Sequence, residues 1–540
     1  MRIFVREPIL GLTAFVLVGL MMMFIVYPQV QVLVAPGVKG YETFFREGPN
    51  WIRATQNSLW VMAFSTTTAV LLGFVYAYAM VYSQMPWKRF FRLIAILPLL
   101  SPSFVVAASY ILLFGPRGLV TYYVLGISPN ILGFYGLWGV QTIAFFPIAY
   151  QLIADVLARS DPRLEQAARN LGAGPWQVFW TVTLPLARPG LVAAVLLVAI
   201  YVVEDFGNPA LIAGQFTVLP TLAYGLIIGF GDFAGAAVVS TILLGLALSM
   251  YLVRMRLEGR HGYVTVSGRG SSIPRPPVPA VVTWVCFTIC LLLATLIALV
   301  YGVLILSAFV EAYPFNFTPT LKHFAYVGTR FTSLRNSLGY AVTAAAICCI
   351  FAAFLAFLVQ RRVWRGRGLV DFIAIVPAAV PGLFFGIGYA TAFNQRWFDW
   401  IDRGALITIS MIFWNIPVAY RAALAGLQQI DRSIDEAATS LGASSLRSFR
   451  DVLLPILRGA ITTGFITTFV RAITTLSVVI FLFTPPTTVA TITIFQLVND
   501  FNWGGATAFT VSVITMAVLV LVVVWTIAGR RVRLDEVAGG

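Results

Sequence analysis

The stretch Asp161-Pro-Arg-Leu-Glu-Gln-Ala-Ala-Arg-Asn-Leu-Gly172-Ala, running on to Val182-Thr-Leu-Pro185, occurs twice in the chain. The second copy is Asp431-Arg-Ser-Ile-Asp-Glu-Ala-Ala-Thr-Ser-Leu-Gly442-Ala, running on to Val452-Leu-Leu-Pro455. Gly172 pairs with Gly442 and Pro185 with Pro455 at a single shift of 270 residues. A motif that also keeps its spacing to a distant Leu-Pro marks an internal duplication.

Each copy spells a short helix. Asp161 and Asp431 suit the capping position, and Pro162 suits the first helical one. Ser433 followed by Glu436 also reads as a capping box. Leu164, Ala167, Ala168 and Leu171 fall at i, i+3, i+4, i+7, and Ile434, Ala437, Ala438 and Leu441 repeat that face. The stripe is narrow and rich in alanine, so a partner can approach closely. Gly172 and Gly442 can take the left-handed turn that ends a helix. The expectation is a helix, a glycine bend and a second segment ending at proline, shaped to lie in another protein's groove. The plainer reading is a loop helix resting on the membrane surface. Two copies at matched positions between membrane spans argue against it.

These stretches resemble the EAA loop of the permease subunits of binding-protein-dependent ABC importers. The family pattern is Glu-Ala-Ala, three residues, Gly, then a hydrophobic segment closing on Leu-Pro. Glu436, Ala437, Ala438 and Gly442 match it in the second copy. In the first copy Gln166 stands at the glutamate position, with Glu165 one residue earlier, so Ala167, Ala168 and Gly172 match better than the acid does. The resemblance implies that the loop couples to a nucleotide-binding subunit, with EAA loops at about 158–190 and 428–460.

Composition fits that class. Of 540 residues 59% are hydrophobic and 11% charged, and the mean hydropathy is +0.88. The apolar residues fall in runs of roughly 20 or more, separated by short polar segments, as membrane spans do. A net charge of +15 would suggest nucleic acid if it were patched on a soluble face. Here the arginines cluster in alternate loops, and no nucleic-acid partner is expected. Cys286, Cys290, Cys348 and Cys349 all lie in apolar runs, and His261 and His323 are the only histidines, so no metal-ligand cluster is spelled out.

Spans are expected near 9–34, 58–82, 93–114, 132–157, 190–212 and 233–253, then near 280–308, 337–359, 369–393, 405–427, 460–483 and 506–528. The first run is longer than a signal peptide's apolar core and lacks a convincing cleavage site. Residues 1–256 form one half, 257–279 a polar Gly/Pro/Ser/Arg-rich linker and 280–540 the other half. Other features recur between the halves: Asn57-Ser-Leu as Asn336-Ser-Leu, Pro98 and Pro102 as Pro377 and Pro381, and Pro147-x-Ala-Tyr150 as Pro417-x-Ala-Tyr420. Six spans return the chain to its starting side, so the halves insert as a parallel repeat about an axis normal to the membrane. The reading is an all-α polytopic membrane protein of about twelve transmembrane helices in two six-helix repeats, which the resemblance equates with the type I ABC importer permease fold. Prolines inside spans suggest kinks.

Arginine sets the orientation. One set of loops holds Arg2 and Arg6; Lys88, Arg89 and Arg92; Arg159 through Arg188; Arg254 through Arg275; Arg361 through Arg367; Arg421 through Arg458; and Arg530, Arg531 and Arg533. The other holds mainly Lys39, Arg46, Arg53, Arg117, Lys322, Arg330, Arg335, Arg396 and Arg403. The positive-inside rule makes the first set cytoplasmic, with both termini and both repeated loops.

Nothing reads as a P-loop and no catalytic constellation appears. The chain is therefore read as a transport subunit, not an enzyme, with no cofactor of its own. The resemblance implies two copies of an ABC ATPase subunit, which bind the ATP, an external solute-binding protein, and a multi-pass place in the bacterial inner membrane among its lipids. Ionisable groups in spans are candidates for the pathway: Glu204 and Asp205, opposite uncharged Thr474-Thr-Leu-Ser477; Arg471; and Asp232, which corresponds to Asn502. Pairing of Glu204 or Asp205 with Arg471 to hold the halves together is the structural alternative.

The fused halves, with Glu-Asp-Phe-Gly-Asn-Pro-Ala-Leu-Ile after the first loop and Leu-Ser-x-x-Ile-Phe-Leu-Phe after the second, resemble the ferric iron permease group. Thiamine importers share the layout, and phosphonate and polyamine permeases are related. An ion-coupled secondary transporter also has about twelve spans and internal repeats, but needs no paired cytoplasmic loops of this kind.

Overall fold

The computed structural model describes residues 8–48, 50–260, 275–276, 278–362 and 366–528. Most of the 257–279 linker lies outside the described residues, as do Arg2, Arg6, Arg269, Arg365, Arg530, Arg531 and Arg533.

A backbone that crosses lipid must satisfy its own N–H and C=O groups, and the chain does so almost wholly with helices. The first half includes α1 (Pro8–Val34), α2 (Trp51–Tyr82), α3 (Ser103–Phe114), α4 (Phe134–Arg159), α5 (Pro162–Asn170), α6 (Pro175–Glu204), α7 (Leu219–Phe230) and α8 (Phe233–Arg260), with shorter helices between them. The second likewise includes α9 (Ala280–Phe309), α10 (Phe331–Arg361), α11 (Gly382–Phe393), α12 (Arg403–Gln428), α13 (Arg432–Ser440), α14 (Arg458–Thr474), α15 (Ala490–Asn499) and α16 (Trp503–Ala528). A small antiparallel hairpin, β1 (Val310–Ala312) and β2 (Asn316–Pro319), follows α9. Among the described residues ten helices are long and apolar enough to cross a membrane, or up to twelve if each of two bent helix pairs is one span. The architecture is thus the all-α, two-repeat polytopic fold that the sequence implies.

The spans differ from the sequence expectation at the prolines. Pro98 and Pro377 sit in single 3-10 turns, Leu97–Leu100 and Val376–Ala379, and Pro102 and Pro381 immediately precede α3 and α11. A proline lacks the N–H and crowds the preceding turn, so the helix ends there. In the second half the two pieces meet at 111°. The helices expected over 190–212 and 460–483 also stop early, at Glu204 and Thr474. Asp205 (ψ 115°) and Thr475 (ψ 137°) take extended backbone geometry.

Asn57-Ser58 and Asn336-Ser337 explain why that motif repeats. Asn57 Nδ2 donates to Thr217 O at 2.8 Å, and Asn336 Nδ2 donates to Pro486 O and Thr488 O at 2.9 and 3.1 Å. Ser58 Oγ accepts the N–H of Leu219 at 2.9 Å, and Ser337 Oγ that of Ala490 at 2.7 Å. Each pair ties the start of a long helix to the loop and first turn of α7 or α15, where backbone groups have no helical partner.

The first helix of each half packs on the other half. Tyr389 of α11 donates to the Phe24 carbonyl of α1 at 2.7 Å, and Phe24 stacks on Phe413 of α12. Gly388 lies so close to α1 that an added Cβ would meet the Pro28 carbonyl oxygen at 2.8 Å. Reciprocally, Tyr301 of α9 shares a 2.6 Å hydrogen bond with Ser101, and Phe287 packs edge-on to Phe91. Lipid tails are as apolar as these side chains, so the close packing and interhelical hydrogen bonds decide the association.

Candidate functional site

The repeated loops form the helices expected of them, with one reassignment. Asp161 Oδ1 accepts from Arg163 N at 2.9 Å and Asp431 Oδ1 from Ser433 N at 2.8 Å, so both aspartates cap. Ser433 lies inside α13, and Asp431 takes the place that a Ser433–Glu436 capping box would need. Gly172 (φ +89°) and Gly442 (φ +84°) end the helices in the left-handed region, and Ala173 N and Ala443 N each return 3.0 Å bonds, to Ala168 O and Ala438 O. This is the closure that glycine makes cheap.

The apolar stripe points outward. Leu171 and Leu441 are each 89% exposed, and Leu164 and Ile434 are also exposed. Ala167, Ala437, Glu436, Gly172 and Gly442 are exposed too, while Gln166, Ala168 and Ala438 are half-buried. The acid that faces the membrane domain is the preceding one. Glu165 and Asp435, equivalent at the 270 shift, are buried at 3% and 7% exposure. Thr183 Oγ1 donates to Glu165 at 3.3 Å, and Ser448 Oγ to Asp435 at 2.6 Å. Each carboxylate also faces an arginine: Arg275 with Glu165 at 4.0 Å, Arg362 with Asp435 at 3.8 Å. Burial of a carboxylate is tolerable only with such partners. The helices are thereby seated by one acid each and leave Leu164, Ala167 and Leu171 of α5, and Ile434, Ala437 and Leu441 of α13, exposed.

The intramembrane candidates separate into three environments. Asp205 is buried within the first half, accepting from Asn208 Nδ2 (2.8 Å), Gln141 Nε2 (3.1 Å) and Ser103 Oγ (3.3 Å). These bonds hold the break after α6 in place. Asp232 caps α8, accepting from Gly235 N at 2.8 Å, and Asn502 does the same for α16 from Gly505 N at 3.1 Å. That shared capping role explains the Asp/Asn exchange at equivalent positions.

Glu204 and Arg471 lie at the junction of the halves. Arg471 donates through Nε to Asn415 Oδ1 at 3.0 Å and through Nη1 to Tyr201 Oη at 2.9 Å, with its guanidinium 4.8 Å from the centre of the Trp414 ring. Tyr201 and Arg471 are themselves repeat equivalents, 270 apart. Two equivalent residues that touch must flank the axis relating the repeats. Glu204 stands within electrostatic reach of Arg471. Among the described residues neither Glu204 nor Asp205 forms an ion pair with Arg471, which bonds Tyr201 and Asn415 in place of that alternative pairing. Among the described residues no group of three His, Cys, Asp or Glu side chains is placed to hold a metal ion.

Sequence reasoning missed Tyr201, Arg275, Arg361 and Arg362. Tyr201 could have been found by applying the 270 shift to Arg471. The arginines are less legible, because Arg275 lies in the linker, outside the repeat.

Two parallel bundles with paired, outward-facing loop helices define a multi-pass transport subunit of the inner membrane. Residues 69–260 and 349–533 match the family described as the binding-protein-dependent transport system inner membrane component, and the chain belongs to that family. It is 32% identical to the ferric transport system permease protein FbpB of Actinobacillus pleuropneumoniae, over 95% of this chain and 77% of that one. It is 23% identical to the Fe(3+)-transport system permease protein FbpB 2 of Haemophilus influenzae, over 87% of this chain and 88% of that one. The molybdenum transport system permease protein ModB of Escherichia coli is 31% identical over 38% of this chain, yet 92% of its own length is covered. The matched stretch, 212 residues, is shorter than either half.

Proposed function

We propose that this chain forms the membrane pathway of an ATP-driven importer for ferric iron, delivered by a binding protein outside. Two copies of a separate ATPase subunit dock on α5 and α13, and both termini face the cytoplasm with them. The carrying observation is the pair of seated helices with Leu164, Ala167 and Leu171, and Ile434, Ala437 and Leu441, exposed at equivalent positions. Such narrow apolar stripes suit insertion into a partner's groove. The ferric assignment rests on the two ferric transport permeases, each similar over most of this chain.

In this reading the solute crosses between the halves, past Glu204, Tyr201 and Arg471. On this reading the Tyr201–Arg471 bond must part for the solute to pass. Iron is cargo here, so the pathway needs weak transient contacts, not a resident ligand set.

The test is uptake of radiolabelled Fe(III) by cells carrying the chain with the ATPase and binding protein that co-purify with it. Accumulation that needs ATP and ceases when residues 161–173 or 431–443 are deleted is the expected result. Molybdate accumulation without iron would overturn the substrate. Purification without an ATPase would overturn the docking reading. A reporter fused after Gly540 that is active only outside the membrane would overturn the orientation.

A further inference from the structure

Arg275 stands in the linker, outside both repeats, yet it contacts the first docking helix at its root. Its Nη2 donates to Leu157 O at 2.7 Å, Ser160 O at 3.1 Å and Ala158 O at 3.2 Å, and its Nη1 donates to Ser160 Oγ at 3.2 Å. The same guanidinium faces the buried Glu165 carboxylate at 4.0 Å and lies 4.7 Å from the centre of the Tyr82 ring. One side chain thus closes the carbonyl end of α4, balances the only buried acid of α5 and stacks on the end of α2.

The second half does the same work with its own chain. Arg361 Nη2 donates to Leu427 O at 3.0 Å and Ile430 O at 2.6 Å, the equivalents of Leu157 and Ser160 at the 270 shift. Arg362 faces Asp435 at 3.8 Å and lies 5.1 Å from the centre of the Phe357 ring. Aligning Asn57 with Asn336 sets α2 on α10 at a shift of 279, so Tyr82 and Ser83 occupy the places of Arg361 and Arg362. The first half therefore lacks the two arginines, and the linker supplies one that covers both tasks. Arg275 also leads directly into α9, which packs on the first half through Tyr301 and Phe287.

We infer that Arg275 is the positioning residue of the first docking helix, a latch that joins α5 to the linker and α9. The two docking helices are accordingly held by different means: α13 by its own half, α5 by the linker. A planar guanidinium suits this place because it can donate to several carbonyls, face a carboxylate and stack at once, which an ammonium cannot. The inference rests on the docking reading above.

The experiment places a photo-crosslinking amino acid at position 171 or 441 of the full chain, co-expressed with its ATPase. Both positions are equally exposed in equivalent places. Arg275→Ala should lower the crosslink yield from position 171 roughly tenfold, as expected when a buried acid loses its cationic partner, and leave position 441 unchanged. Arg275→Lys should restore it only in part. The paired control, Arg361→Ala with Arg362→Ala, should lower position 441 and spare 171. Loss at both positions on Arg275→Ala, or at neither, overturns the latch while the docking reading stands. Absence of crosslinks from both positions in the parent chain overturns the docking reading and the latch with it. A second readout guards against misfolding: amide exchange of residues 162–171 should quicken in Arg275→Ala while that of 432–440 does not, and equal quickening in both overturns the latch.

Discussion

Arg471 Nη1 donates to Tyr201 Oη at 2.9 Å, and the two residues hold the same position in the two repeats. A duplicated fold brings like against like at its axis, and here sequence divergence has turned that meeting into a donor and an acceptor. A double-mutant cycle with Tyr201→Phe and Arg471→Leu, read by thermal unfolding in detergent, should give a coupling of about 1 kcal/mol, the usual range for interhelical hydrogen bonds. Arg471→Leu alone should cost more than Tyr201→Phe, because it also strips Asn415 and Trp414 of their partner. Strictly additive effects would separate the pair energetically.

Asp205 and Glu204 are neighbours with opposite expectations. Asp205→Ala removes the acceptor of Asn208 Nδ2 and Ser103 Oγ and the shorter of Gln141's two bonds, a loss of about 3 kcal/mol or more when a buried network is broken. Membrane abundance should fall, and uptake should fall in proportion. Glu204→Gln should leave abundance near the parent's and reduce uptake per molecule. Parent-like uptake per molecule in Glu204→Gln would remove that residue from the pathway.

Gly172 and Gly442 have open space where a Cβ would go. Substitution by alanine is therefore opposed by backbone conformation alone, about 1–2 kcal/mol for a left-handed residue. Each variant should express normally and lower ATPase co-purification, and the double variant more so. Unchanged co-purification would detach the bend from docking.

The Asp431 carboxyl is held below the ordinary carboxylate value of 3.8, first by the backbone N–H of Ser433 and also by the nearby Arg361 charge. Its charged, capping form is the one that folding favours. The cap is complete above the ordinary value and is lost as pH falls through the lowered one. Amide exchange at the start of α13, corrected for intrinsic rates, should quicken only on acidification below about 4. Asp431→Asn should abolish that pH step, and a step surviving in this variant would assign it to another group.

Much of this was readable because a duplication leaves two copies of every constraint. The caps Asp161 and Asp431, the left-handed glycines and the Asn-Ser anchors are local, and local geometry is legible in short motifs. The breaks at Asp205 and Thr475 were not, since an apolar run signals burial without saying whether the helix continues. Leu164 and Leu171 of α5 are exposed, but which acid seats the helix depends on Arg275, more than 100 residues away in sequence. Tertiary partners of that kind leave no periodic trace. The same limit hid the exchange of α1 and α9, because hydropathy reports that a helix has a lipid-facing or buried side, not whose surface buries it.

The seating of α1 on α11 and α12 sets an order of assembly. Phe24 and Tyr27 precede Phe393 and Phe413, against which Phe24 packs, by hundreds of residues. Gly388→Val, which would press on the Pro28 carbonyl, should therefore cost about 1–3 kcal/mol through overcrowding and leave α1 accessible to lipid-phase labelling in the finished protein. Equal labelling of variant and parent would dismiss the idea. During synthesis α1 must wait in the bilayer, its aromatic face bare, until α11 and α12 have been threaded in. A gene fragment encoding one half alone would make a bundle whose opening helix has nowhere to settle.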